Sequence, residues 1–357
     1  MVGEPVVFNM EIKNTGKEVV YVNAKAPGRC LDSYDFFVTG PRSGCGAKWD
    51  GQCADEESPL LPGDSYSGHW PLDFWYQFEG AGKYDVNATR HIPVRSVHGE
   101  MLDFTFSSQF QVDLKPTDAV QVQTILQQLE RNLDSSDPAV RHAALDVLST
   151  TPATYFQEIA LRLSRDEDPF VVAHAVGALS RINTPETRAA LADVVAKDKG
   201  TTRVEISTRC HAIEALGHSG DTSYLGLIQQ YIEAKDEQIQ LAAMIAVSEL
   251  GKTEAVFQLQ RVFSSADATA RKNAAYALRF STSPEAVGAL INAVTDKEAK
   301  VRERVLTSLE ELTGQTVGSG AADEASAEKT KSAWRSWWRA HEATLTLPEL
   351  QFLCTLK

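Results

Sequence analysis

The chain has 357 residues, 43% of them hydrophobic and 23% charged; these are ordinary values for a globular protein of two or three domains and exclude a disulfide-stapled miniprotein. No run approaches the roughly 18 to 20 uninterrupted apolar residues that a membrane-spanning helix needs. The net charge of −13 is spread evenly, −6 through Pro116 and −7 beyond it, so both parts repel phosphate and nucleic acid is not an expected partner.

Apolar residues alternate from Val7 to Lys13 and again from Val19 to Asn23, around Asn14-Thr-Gly, which predicts a hairpin. Further strands are expected at Asp35–Thr39, Lys83–Thr89, Leu102–Phe106 and Phe110–Leu114, with a turn at Leu61-Pro-Gly-Asp64. Short strands punctuated by Gly and Pro predict an immunoglobulin-like β-sandwich over residues 1–116. The order of these strand and turn residues resembles bacterial immunoglobulin-like accessory domains, including the intracellular proteinase inhibitor type. That resemblance implies the fold, and it makes inhibition through the sandwich loops one alternative function.

His69, Trp70, Phe74, Trp75, Tyr76 and Phe78 crowd six rings into ten residues. They read either as a partner or glycan platform or as sandwich core and inter-domain cement. Cys30, Cys45 and Cys53 fall within 24 residues; one disulfide and free loop thiols are both open, while the CxxC or histidine spacing of a zinc site is missing. Strand-like sequence directly after Met1 is what a removed leader would leave, so an exported, periplasmic or extracellular location is expected, with the cytoplasm as the alternative.

Beyond Pro116 one pattern recurs six times, anchored on Ala144, Ala175, Ala212, Ala243, Ala274 and Val305 at spacings of 31, 37, 31, 31 and 31. Such a period marks a solenoid, whose units cover one another's apolar faces. Apolar or small residues four before and four after each anchor define one face of a helix. Seven before it stand the acids Asp137, Asp168, Glu205, Asp236, Asp267 and Glu298, placed to cap the helix start. Three before it recur Arg141, Arg209, Arg271 and Arg302, broken by Val172 and Gln240. The signature Asp-x-x-Val-Arg-x-x-Ala-x-x-x-Leu resembles the HEAT repeat in its bacterial, phycobilisome-lyase-like form. The resemblance implies an α-α solenoid over residues 117–315, a ladder of Asp–Arg hydrogen bonds between units, and interrupted rungs at Val172 and Gln240. Residues 316–332, rich in Gly, Ala and Ser, read as a flexible linker. The Trp334, Trp337 and Trp338 face then reads as the cap of the array, in a C-terminal segment 333–357.

Positions two before and two after each anchor are expected on the concave surface. There Leu241 and Ile245 form an apolar patch edged by Cys210, Glu214, Lys272 and Tyr276; the alternative is that the patch is a packing surface for the first domain. His174 and His211 share a register in adjacent units without a third ligand nearby, so no metal is expected. No catalytic motif and no cofactor fingerprint is present. The expected function is therefore a non-enzymatic scaffold that takes a protein or peptide in the groove, with Trp70, Trp75 and Tyr76 as a second contact region. The alternative is a lyase or isomerase using His174, His211, Glu214 and Tyr276 as acid–base groups.

Overall fold

A computed structural model describes residues 7–22, 34–40, 58–72, 80–116, 118–150, 154–197, 200–318, 320–342 and 345; Cys30, Cys45, Cys53, Trp75 and Tyr76 lie outside them. The chain separates into two compact units between Phe156 and Gln157.

The first unit opens with antiparallel sheets. β1 (Val7–Lys13) pairs with β5 (Ser65–Pro71), while β6 (Gly82–Ser96) carries β3 (Tyr34–Thr39) and β2 (Val20–Val22) along one edge and β7 (Met101–Leu114) along the other; β4 (Ser58–Leu60) extends β2. The hairpin expected around Asn14 does not form, because β1 and β2 belong to different sheets. Asn14 is the reason. Its buried Nδ2 donates to the carbonyls of Glu18 and Leu60, and its Oδ1 accepts from Gly16 N. The side chain thus fixes a crossing between sheets, and the Leu61–Asp64 turn, with Asp64 N on Leu61 O and Gly63 at φ 89°, makes the second crossing from β4 to β5. Two small cores join the layers: Ile12 packs on Val22, Leu60 and Val94, and Leu72 on Val38, Tyr84 and Val86. The sequence gives no warning that Leu102, Phe104 and Phe106 on β7 are exposed. The helices α1 (Ala119–Leu133) and α2 (Pro138–Thr150) group with these sheets.

The second unit contains α3 (Gln157–Leu163), α4 (Pro169–Ile182), α5 (Pro185–Lys197), α6 (Arg203–His218), α7 (Leu225–Ile228), α8 (Glu237–Leu250), α9 (Lys252–Val262), α10 (Ala268–Leu278), α11 (Glu285–Ala293), α12 (Ala299–Thr313) and α13 (Glu324–His341). The anchor-bearing helices α4, α6, α8, α10 and α12 pack in sequence order, each on the next. Their anchors are the most enclosed points of the layer: Ala175, Ala212, Ala243, Ala274 and Val305 are all 0% exposed, as are Leu179, Leu216, Val247, Leu278 and Leu309 one turn later. Ala144 in α2 is buried in the same way.

The acids seven before the anchors divide by chemistry. Asp168, Asp236 and Asp267 are N-caps that accept from backbone N–H groups of the first turn. Glu205 instead closes a capping box with Thr202, and Glu298 stands at its N-cap position without a side-chain bond, because the longer glutamate overshoots the donors that aspartate reaches. The rungs also differ from expectation. The acid that meets Arg271 is Asp296, nine before its own anchor, in a two-bond fork at 2.7 and 3.0 Å.

Part of the expected linker is helix. Asp323 and Ser326 form a capping box that starts α13 at Glu324, and Arg302 donates to the carbonyls of Ala321 and Ala322, tying the preceding loop down. Trp334 is 1% exposed inside the cluster built by α10, α11 and α12, with Trp337 and Trp338 packed beside it.

Candidate functional site

With the anchors facing inward, the flanking residues of α6, α8 and α10 form a continuous surface. Cys210 sits at its start but contributes little: it is 8% exposed, and burial, with Glu214 and Asp236 nearby, pushes its thiol up to about 12. A thiol held that far from ionisation is no nucleophile. His211, Glu214, Leu241 and Ile245 are partly buried, and Ile245 also packs on the core shared by α8, α10 and α12. The expected patch is therefore a shallow apolar floor rather than two projecting side chains.

Polar groups edge this floor. Lys272 Nζ lies 3.8 Å from Glu237 Oε1 at the surface, a pair of little energetic weight. The Tyr276 ring takes the guanidinium of Arg279 at 4.7 Å and that of Arg304 at 5.0 Å, and Arg279 also meets Glu311 at 3.0 Å. Such stacking fixes a flat, rigid surface at low entropic cost. His174 stands apart on α4, with Nδ1 2.8 Å from Phe170 O and its ring 4.3 Å from the Phe170 ring. Trp70 lies on β5 opposite Phe8.

Glu214, expected from sequence at the edge of the patch, gains two partners that the sequence does not signal, His218 and Glu249, because the latter pair meets only across helices. Glu214 and His218 lie one turn apart on α6, and His218 Nε2 is 3.3 Å from Glu249 Oε1 on α8. Glu249 Oε2 is buried with no hydrogen-bond partner among the described residues. The two helices can approach this closely because residue 217 is glycine: a Cβ there would stand 2.7 Å from Ala246 Cα and 2.9 Å from Glu249 Oε2. Burial pushes the Glu214 carboxyl up to about 7; the neighbouring Glu249 adds to the rise and His218 opposes it. Burial depresses His218, but its hydrogen bond to Glu249 and the charges of Glu249 and Glu214 together outweigh this and leave its pKa raised.

Glu214 can therefore gain and lose a proton near neutrality, yet the acid–base set expected from sequence does not converge. His174 on α4 and Tyr276 on α10 are three helix steps apart, roughly 25 to 30 Å at about 8 to 10 Å per step. Among the described residues no three His, Cys, Asp or Glu side chains form a metal-holding group, and no helix is long and apolar enough to cross a membrane.

No curated protein matches this chain significantly. Among solved structures it is similar to a designed armadillo repeat protein in complex with the peptide (KR)4, at 17% identity over 52% of this chain and 98% of that one, TM-score 0.37. It is similar to human deoxyhypusine hydroxylase in complex with glycerol, at 17% identity over 62% and 98%, TM-score 0.29. It is also similar to the CpcE–CpcF complex of phycocyanin lyase from Nostoc sp. PCC7120, at 20% identity over 61% and 83%, TM-score 0.33. At these values none of them assigns an activity. The model for HEAT repeats matches residues 122–206 and 201–279, so this stretch of the chain carries HEAT repeats.

Proposed function

We propose that this protein is a non-enzymatic binding protein that takes an extended segment of a protein or peptide partner on the surface of α6, α8 and α10, with an immunoglobulin-like accessory module formed by the N-terminal sheets. The observation that carries the reading is the half-buried Leu241–Ile245 floor on α8, between Glu214 of α6 on one side and the Tyr276–Arg279–Arg304 stack beyond α10 on the other. An apolar strip between opposite charges fixes both the position and the direction of a bound chain. The HEAT-repeat fold is itself a common scaffold for such binding.

The test is selection from a displayed peptide library, followed by titration of the selected peptide against the wild type and two variants. Leu241→Glu and Tyr276→Ala should each weaken binding at least tenfold while the helical signal is unchanged. Equal affinity for wild type and both variants would remove this surface from the function. One observation favours an alternative reading, a lyase or isomerase: the Glu214 carboxyl, pushed up to about 7 beside His218, is an acid–base group poised near physiological pH. A turnover that Glu214→Gln abolishes would favour that reading.

A further inference from the structure

At four of the six anchors the residue three before carries out one repeated task. Arg271 Nη1 donates to the carbonyls six and five residues earlier, Ser265 at 2.9 Å and Ala266 at 3.1 Å. Arg302 Nη1 does the same with Asp296 at 2.9 Å and Lys297 at 3.1 Å. Arg141 reaches Ser135, and Gln240, the shortened rung, still reaches Ala234 at 3.4 Å. The fold therefore builds a guanidinium socket from two successive loop carbonyls, and at Arg271 a carboxylate of the following unit, Asp296, completes it.

At the second unit the tenant is missing. Val172 occupies the rung, and an aliphatic side chain has nothing to donate to the carbonyls six and five residues earlier, those of Asp166 and Glu167. A cavity of about 430 Å³ opens there, lined by Val172 and Val194 and by Asp166, Glu167, Asp193 and Glu205. Asp193 and Glu205 come from the following unit, the side from which Asp296 meets Arg271. Two cations also line the cavity, Arg165 and Lys197, and Lys197 is engaged 3.3 Å from Asp193 at the surface. The walls are thus apolar, the rim is net acidic, and the carbonyl pair is in the register that holds a guanidinium twice elsewhere in the array.

We infer that the cavity beside Val172 is a binding site for an alkylguanidinium group, delivered as an arginine side chain by a partner polypeptide. The aliphatic stem lies on Val172 and Val194, and the guanidinium donates to the Asp166 and Glu167 carbonyls and to a carboxylate of the following unit, as Arg271 does within the chain. This site does not depend on the α6–α10 surface and stands or falls without it.

The experiment is a titration of the full chain with Nα-acetylarginine amide, followed by the methyl resonances of Val172, Val194 and Ala190, which also lines the cavity. Nα-acetylcitrulline amide serves as the neutral isostere and Nα-acetyllysine amide as the point-charge control. Saturable shifts confined to these methyls are expected for the arginine derivative, at least tenfold weaker binding for citrulline and several-fold weaker for lysine. Val172→Arg should supply the tenant internally, abolish the titration and raise the melting temperature. Should that variant fail to fold, Asp193→Asn should keep the fold and lower the affinity several-fold. Leu241→Glu should leave the titration unchanged, which separates this site from the proposed peptide surface. Equal response to arginine and citrulline, no saturable shift in the wild type, or undiminished binding in a folded Val172→Arg would overturn the inference.

Discussion

Arg271 and Glu249 belong to neighbouring helices of one layer, and their surroundings treat buried charge in opposite ways. Arg271 is 2% exposed, but Asp296 takes its guanidinium in two bonds and two loop carbonyls take a third nitrogen. The Asp296 hydrogen bonds raise the Arg271 pKa; burial opposes ionisation of Asp296, but the Arg271 bonds and charge together with the Glu298 N–H hold it below the usual carboxylate range. Among the described residues, Glu249 meets a half-exposed histidine with one oxygen and has no hydrogen-bond partner for the other. One level of the array therefore contributes fixed geometry, while the other retains strained carboxylates beside the surface assigned to binding. Rule-breaking of this kind is expected where a fold serves a ligand rather than itself.

Breaking the satisfied level should have the largest effect. Arg271→Ala leaves Asp296 buried and unpaired, with an expected cost of about 3 to 5 kcal/mol, measured as the shift in a urea unfolding curve. Relieving the strained level should do the reverse, by a smaller amount. The Glu214 pKa rises from 4.5 to about 7 on folding, so the folded state holds a proton that the unfolded chain has already lost between those values. Wild-type stability contributed by this group is full below about pH 4.5 and is lost as pH rises through 7, amounting to roughly 3 kcal/mol at most. Glu214→Gln should therefore be more stable than wild type at pH 8 and equal to it at pH 4. A variant that tracks the wild type across that range would mean Glu214 is solvated.

Local signals made much of this comparison readable in the sequence. The anchors, their neighbours four residues away, and the aspartate caps all act within one helix, so a period of 31 carries them. The Leu61-Pro-Gly-Asp64 turn was visible for the same reason. What stayed hidden depends on distant partners: Asn14 crosses to Leu60 O, 46 residues away, and turns an expected hairpin into a sheet crossing. Glu249 meets His218 only when α6 and α8 close over Gly217. The broken rungs were legible as letters, Val172 and Gln240, but a missing side chain gives no hint of the space it leaves. The first of them opened a cavity beside Val172, and Gln240 lines another of about 860 Å³. The linker was misread because Gly and Ser composition cannot show that Arg302 anchors residues 321 and 322.

The binding surface depends on the register that turns the anchors inward and their neighbours outward, and thiol labelling reads that register directly. Ala274 is 0% exposed, whereas the Lys272 side chain two residues earlier is 42% exposed. In native buffer, Lys272→Cys should react with a maleimide at close to the rate of an unfolded thiol, and Ala274→Cys should react only after denaturant is added, each located by peptide mass spectrometry. Similar native labelling at both positions would contradict the inward anchors, and with them the binding surface built on that register.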